Sequence, residues 1–418
     1  MKKTTIPTLL LFAVCITHLS AQNPGCDGVR YKENVFASVK KTTVQFATAI
    51  NQANSPVMLM MDVYEPEGDN ISRRPVVVLA HGGSFISGNK TDMKRWCELL
   101  AKKGYVAASI DYRLFPFFIL GLPDSVEIFG TAVRAVGDMK CAVRFFREDA
   151  ATVSQFRADP DNIFIGGYSA GAVTALHAAY LDSNDVVPAF IQDIIDQNGG
   201  LDGNTGSAAN QTYSSYSKAV VNMSGGIYRS SWVDAGGIPL TSIHGNADGT
   251  VPYLSGLAAN IAYLEGSGKI HPVAEAAGLL NELVTVPGGG HTDTYDPAKT
   301  QFLPYVDSFW VNTATMLEYL SCQLVAVDDL FDKAGNWGID PNPVVSGQVC
   351  TLRFPEQVQR VAITLTDFSG KIVARINDLR PAETIRWPAL PAGIYSAQLV
   401  DMDTPGRLFN AKKVVLTQ

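Results

Sequence analysis

The sequence predicts an α/β fold, a mostly parallel sheet covered by helices on both faces, followed by a small all-β sandwich. Three observations carry that expectation. Short β-branched runs alternate with longer helical patterns from Pro75 to Leu320, and each run is near-continuously apolar. Parallel strands buried on both faces read this way. From about residue 340 the helical patterns stop, and short alternating segments separated by turn residues take over, as in a sandwich.

The elements follow in order. Residues 75–80 form the first run, closed by Gly82-Gly83, and 106–110 follow a helical stretch over 92–103. Further runs occupy 162–165, 219–223, 240–243 and 283–286, each separated from the next by enough chain for a helix. A last amphipathic helix is expected over 305–320, where Val306, Phe309, Trp310, Thr313, Met316, Leu317 and Leu320 fall at helical spacing. The tail carries strand-like segments at 361–365, 371–374, 394–400 and 411–416, punctuated by Ser369-Gly370, Ala392-Gly393 and Pro405-Gly406.

With 418 residues the chain has room for one large domain and a smaller one. Hydrophobic residues at 46% and charged ones at 17% permit a sizeable core and exclude a disordered chain. A net charge of −7 without a run of Lys or Arg in the body of the chain excludes nucleic acid as an expected partner.

The N-terminus places Lys2 and Lys3 before an apolar stretch, 9–14, and then Ser20-Ala21. That is the build of a secretory signal peptide over 1–21, cleaved after Ala21. A lipid anchor on Cys15 is the rival, with Val14 where such signals favour a small residue. No later stretch is apolar for the 18 or so residues of a membrane span. The expected location is therefore secreted or cell-surface.

Cys26, Cys97, Cys141, Cys322 and Cys350 follow the signal segment, so at least one thiol is left over from intramolecular pairing. Cys26 and Cys322 bound the expected catalytic domain, and a bond between them would tie the N-terminus to the end of the last helix. Cys97 and Cys141 lie on helical stretches and read as buried thiols. Neither Cys-x-x-Cys nor His-x-x-x-His occurs, so neither metal nor cofactor is expected.

The chemistry concentrates at strand ends. Gly167-Tyr168-Ser169-Ala170-Gly171 sits between the 162–165 strand and a helical stretch over 172–180. A nucleophile elbow requires this strand–turn–helix context, because a strained turn lifts the hydroxyl clear of the sheet. His81-Gly82-Gly83-Ser84-Phe85 ends an earlier strand, where the amides of Gly83 and Ser84 can join that of Ala170 in an oxyanion hole.

A hydroxyl needs a base to take its proton. Among the six histidines, His18 leaves with the signal segment, His81 belongs to the oxyanion strand, His177 lies in the helix after Ser169, and His244 ends a strand just before an acid. His291 follows Pro287-Gly288-Gly289-Gly290 at a strand's carboxyl end, whereas His271 lies before that strand. His291 is the expected base. Between serine and base, Asp248 lies just past a strand end in His244-Gly245-Asn246-Ala247-Asp248-Gly249-Thr250-Val251-Pro252, placed to orient the imidazole.

Together with Asp111-Tyr112-Arg113-Leu114, these motifs resemble the carboxylesterase and lipase members of the α/β-hydrolase superfamily, over roughly residues 30–322. They are most similar to bacterial esterases with a His-Gly-Gly oxyanion strand. Ser84 departs from the usual third glycine, and Asp111-Tyr112-Arg113 reads as structural. The resemblance implies a serine esterase acting through an acyl-enzyme on Ser169. The acyl group could sit on a polysaccharide, a lipid or a polyester. The rivals are a peptidase of the same fold, for which neither a propeller nor an acidic anchor is visible, and a silent adhesion module, which would be expected to lose a member of Ser169, Asp248 and His291.

In the tail, Asp340-Pro341-Asn342-Pro343, residues 367–373, 390–395 and 412–416 resemble the C-terminal sorting domain of type IX secretion cargo. The resemblance implies the secretion machinery as a partner. A carbohydrate-binding β-domain is the rival, with Trp387 and Tyr395 as its aromatic support. The expected organisation is signal 1–21, catalytic domain 22–325, linker 326–340 and sorting domain 341–418. Residues 115–120 read as core or lid, and 181–218 as an inserted cap or lid.

Overall fold

The computed structural model describes residues 25–322 and, in the tail, 338–340, 344–345, 347, 349–353, 359–366, 372–380, 384–391, 393–402 and 412–417. The expected signal segment 1–21, linker residues 326–337 and tail-motif residues 341–343 and 367–371 lie outside the described residues. The chain divides into two units, Met1–Gln323 and Leu324–Gln418.

In chain order the first unit contains β1 (Val39–Ile50), β2 (Pro56–Pro66), β3 (Arg74–Ala80), α1 (Lys94–Lys102), β4 (Val106–Ile110), α2 (Phe117–Leu120), α3 (Ser125–Ala151), β5 (Ala158–Tyr168), α4 (Ala170–Tyr180) and α5 (Ala189–Gln197). Then come β6 (Val220–Met223), β7 (Gly226–Ile227), β8 (Leu240–Gly245), β9 (Ser255–Ala258), β10 (Ala262–Gly266), α6 (Ser267–Ala276), β11 (Asn281–Val286) and α7 (Leu303–Cys322). Eight strands form one sheet in the order β1-β2-β4-β3-β5-β6-β8-β11. The β1–β2 and β2–β4 pairs are antiparallel, and all later neighbours are parallel. This is the α/β-hydrolase arrangement.

Strand β3 is buried at every residue because it feeds two cores at once. Val76 and Val78 belong to the cluster under α3 and α4, while Val77 and Leu79 belong to the one under α1 and α7. The period of two along a strand sends alternate side chains to opposite faces, so both must be apolar. Helix α7 buries Val306, Phe309, Trp310, Thr313, Met316, Leu317 and Leu320 against the second face. Helix α3 starts on a capping box, in which the Glu127 amide donates to Asp124 Oδ1 and the Asp124 amide to Glu127 Oε2.

The sheet begins well before Pro75, where the sequence reading starts it. Strand β1 is an edge strand with mixed exposure, and Lys40 and Lys41 lie along it. A search for buried runs passes over such a strand, while its charges guard the edge. The antiparallel set β7-β10-β9 likewise carries no such run, since its strands are two to five residues long.

Arg113 and Asp138 form a buried ion pair, Nη2 to Oδ1 at 2.7 Å, which fastens the exit of β4 to α3. Thr205, from the 181–218 insertion, donates to the same carboxylate oxygen at 2.7 Å. Cys26 and Cys322 are disulfide-bonded, and Cys97, Cys141 and Cys350 are free and buried. Among the described residues no helix is long and apolar enough to cross a membrane.

Among its described residues the second unit has a three-stranded and a five-stranded sheet. Cys350, Leu352 and Ile385 of the first share one core with Ile363, Leu365, Ala397, Leu399 and Val414 of the second, as in a sandwich. Its first strand, Gly338–Asp340, pairs with Thr351–Arg353, so the linker expected over 326–340 ends earlier than the sequence reading placed it. Three residues before a Pro-Asn-Pro sequence give too short a pattern to read as a strand.

Candidate active site

Ser169 sits at the sharp turn between β5 and α4 with φ 53° and ψ −124°. A positive φ is costly for a residue with a Cβ and persists only where the surroundings impose it. Here β5 must end and α4 begin within one residue, against the end of β3. A Cβ on Gly171 would run into the carbonyl oxygen of Ala80, so only glycine lets the helix start approach that strand.

Asp248 and His291 arrive on neighbouring loops, past the ends of the parallel pair β8 and β11. The two loops are laced together. The Asn246 amide donates to the Val286 carbonyl at 3.1 Å, the Ala247 amide to the Gly289 carbonyl at 2.9 Å, and the Gly288 amide to Asn246 Oδ1 at 2.7 Å. The structure therefore brings the three sequence-predicted residues into one line. His291 Nδ1 lies 2.7 Å from Asp248 Oδ2, and His291 Nε2 lies 2.8 Å from Ser169 Oγ.

Asp248 Oδ1 accepts the amides of Thr250 and Val251 at 2.8 and 2.9 Å. Burial alone would raise its pKa. The hydrogen bonding to His244 and His291, with the charge of His291, outweighs burial and holds the carboxyl well below the usual carboxylate range. The carboxylate is thus ionised wherever the imidazole works.

Gly83, Ser84 and Phe85 follow one another with φ of 110°, 55° and 64°. Their loop closes on itself through the Ile86 and Ser87 amides, which donate to the Gly83 carbonyl at 2.9 and 3.0 Å. The amides of Gly83, Ser84 and Ala170 are not taken up by other described residues. Ser84 and Ala170 line the same cleft as Ser169. His81 is buried, its ring stacked on Tyr112 with centroids 4.4 Å apart, and the Tyr112 hydroxyl donates to the His81 carbonyl at 2.9 Å. Tyr112 thereby braces the segment that follows β3.

Two further histidines stand elsewhere. His177 lies in α4, with Nδ1 2.8 Å from the Val173 carbonyl and Nε2 accepting the Tyr228 amide at 3.1 Å. His271 lies in α6 beside Asn281, 2.9 Å from its Oδ1. Burial pushes both imidazoles down to about 4.

A cleft with about 1120 Å³ of empty space, its open mouth included, leads to Ser169. Its walls come from segments far apart in sequence: Phe85, Ile128 and Phe129, Val173, Ile191 and Ile195, Tyr228 and Trp232, and Leu264. The sequence reading did not single out these wall residues, apart from Phe85 in the oxyanion motif and the general expectation of a cap over 181–218. An Ile at i and i+4 on α5 was their one visible signal. Among the described residues no Asp, Glu, Lys or Arg lines the cleft. Of residues 115–120, Phe115 is buried while Phe118, Ile119 and Leu120 are exposed, so the segment divides between core and surface.

A hydroxyl against an imidazole, an imidazole against a carboxylate, and three unused amides nearby suit acyl transfer. No group of three or more His, Cys, Asp or Glu among the described residues could hold a metal ion.

Comparison with known proteins finds similarity to esterases over part of the chain. The family model described as BD-FAE matches residues 61–259, from β2 past β9, a stretch that holds Ser169 and Asp248 and ends before His291. A para-nitrobenzyl esterase of Bacillus subtilis (strain 168) is 30% identical over 117 residues, covering 28% of this chain and 23% of that protein. A probable isoprenylcysteine alpha-carbonyl methylesterase of Oryza sativa subsp. japonica is 33% identical over 129 residues, covering 30% and 27%. The chain thus spans only about a quarter of the length of these curated relatives. Esterase 2 of Thermogutta terrifontis, solved after phosphorylation by paraoxon, aligns at 22% identity over 65% of this chain and 94% of that one, with a TM-score of 0.46.

Proposed function

We propose that this protein is a serine esterase that hydrolyses carboxylic esters through an acyl-enzyme on Ser169. Ser169 Oγ attacks the ester carbonyl as His291 Nε2 takes its proton, and Asp248 stabilises the imidazolium at Nδ1. The amides of Gly83, Ser84 and Ala170 receive the oxyanion. Collapse of the tetrahedral intermediate expels the alcohol, which takes the proton from His291, and water then repeats the sequence to free the acid.

The observation that carries this reading is the continuous hydrogen-bonded line from Ser169 through His291 to Asp248. The largely apolar lining of the cleft beside Ser169 supports a substrate with one apolar arm, and among the described residues it offers a peptide amine no carboxylate. Residues 1–21 would direct export, and the tail from 341 would engage a type IX secretion machinery. The test is a panel of p-nitrophenyl esters of rising chain length, run beside methyl ferulate and acetylated xylan. Hydrolysis of the butyrate or longer esters at higher kcat/KM than the acetate is expected. Failure on every ester would overturn the assignment.

A further inference from the structure

We propose that His244 is a positioning residue for Asp248, fixed in one tautomer by a directed chain of hydrogen bonds that begins at the amide of Gly225. The proposal rests on reading Ser169, His291 and Asp248 as the catalytic set.

The directions follow from backbone groups that cannot reverse, the N–H groups of Gly225 and Ser267 as donors and the Val251 carbonyl as acceptor. The backbone N–H of Gly225 donates to Asn222 Oδ1 at 2.9 Å. This sets the orientation of the Asn222 amide, so its Nδ2 donates to Ser242 Oγ at 2.9 Å and to Ser267 Oγ at 3.1 Å. Ser267 Oγ accepts that bond and has its own proton free to reach His244 Nδ1, 2.9 Å away. The Ser267 amide faces the same nitrogen at 3.5 Å. Nδ1 of His244 is therefore an acceptor, and the ring proton resides on Nε2.

That proton points into the loop of the catalytic acid. His244 Nε2 lies 3.0 Å from the Val251 carbonyl and 3.2 Å from Asp248 Oδ2, the oxygen that also faces His291 Nδ1. The amides of Thr250 and Val251 hold the other carboxylate oxygen. His244 closes the far side of the 248–251 turn, leaving the carboxylate one orientation toward His291. Asn222, Ser242, His244 and Ser267 are wholly buried, so water does not compete for these bonds. Tyr253 packs against the His244 ring in a T-shaped arrangement, 5.5 Å between centroids.

The test uses the full chain with 15N-labelled histidine and three variants: His244→Gln, which keeps a donor near the Nε2 position, His244→Leu, which does not, and Ser267→Ala. In the unaltered protein, the resonance assigned to His244 by its loss in His244→Gln should show Nε2 protonated and Nδ1 bare. Ser267→Ala should broaden or mix the tautomers. On p-nitrophenyl butyrate, His244→Leu should lose about 10–100-fold in kcat with KM held within about threefold, the same order as the loss when a group orienting a metal ligand is removed. His244→Gln should recover most of that loss.

A proton found on Nδ1, or equal losses in His244→Gln and His244→Leu, overturns the proposal. If His244→Leu does not fold, the tautomer and the comparison of His244→Gln with the unaltered protein still decide. Should the unaltered protein hydrolyse no ester, the esterase reading fails by itself, and the spectrum still reports the tautomer.

Discussion

Replacing Cys26 and Cys322 together by serine removes a cross-link between residues 296 positions apart. The bond's effect falls mainly on the unfolded chain, whose ends it holds together. For a loop of about 297 residues, the chain-entropy expression gives about 19 cal/mol/K, or about 5.7 kcal/mol at 25 °C. Residual structure in the unfolded chain lowers this figure, and about 2–5 kcal/mol is the usual cost of losing a native disulfide. Unfolding about 298 residues carries an entropy of about 0.63 kcal/mol/K, so Tm should fall by about 3–9 °C. The folded state should survive, because Arg30 pairs with Asp69 at 2.6 Å and Tyr31 is wholly buried, anchoring the N-terminal segment independently. Calorimetry of the unaltered protein with and without reductant, beside the double variant, measures the effect. Both losses should agree, with esterase kcat unchanged. If mass spectrometry confirms the bond and reduction leaves Tm unmoved, the reasoning is refuted.

Three further outcomes are expected. His177 and His271, depressed to about 4 from an ordinary value near 6.5, take up protons in the unfolded chain before they do in the folded one. Their contribution is complete above about pH 6.5 and is lost as pH falls toward 4, with a slope of up to about 2.7 kcal/mol per pH unit. Denaturant midpoints at pH 7 and 5 should separate less in a His177→Gln/His271→Gln variant, and an unchanged separation counts against the buried-neutral account. Val173→Trp, in the first turn of α4 and facing the cleft, should cut kcat/KM on p-nitrophenyl octanoate by about tenfold or more and on the acetate by less than about threefold. Equal losses would mean that the cleft does not hold the acyl arm. A chain ending at Gln323 should keep its kcat/KM on soluble esters, because Ser169, Asp248 and His291 lie within the first unit. Loss confined to insoluble polysaccharide would instead mark the tail as a binding module.

What was legible in the sequence follows from what is local. The β3 run from Val76 to Ala80 and the spacing from Val306 to Leu320 announce buried strand and helix, because one or both faces must be apolar. Ser169, Asp248 and His291 could each be placed at a strand end by the residues beside them. That His291 meets Ser169, 122 residues away, is a product of sheet order that no local pattern contains. The half-exposed β1 and the short β7, β9 and β10 lack a buried run, and the cleft wall is assembled from segments that meet only after folding. His244 was visible as a strand-end histidine, but its role depends on Asn222 and Ser267, which only the fold brings beside it.

The most direct test of the central claim is covalent labelling with a p-nitrophenyl phosphonate, followed by peptide mass mapping. One phosphonyl group per chain should appear on Ser169, in step with the loss of activity. Ser169→Ala should be neither labelled nor active, and His291→Ala should fall within about tenfold of it, since the residues act as a unit. Turnover retained in purified Ser169→Ala, or a label on another residue such as Ser84 with Ser169 unmodified, would contradict the account.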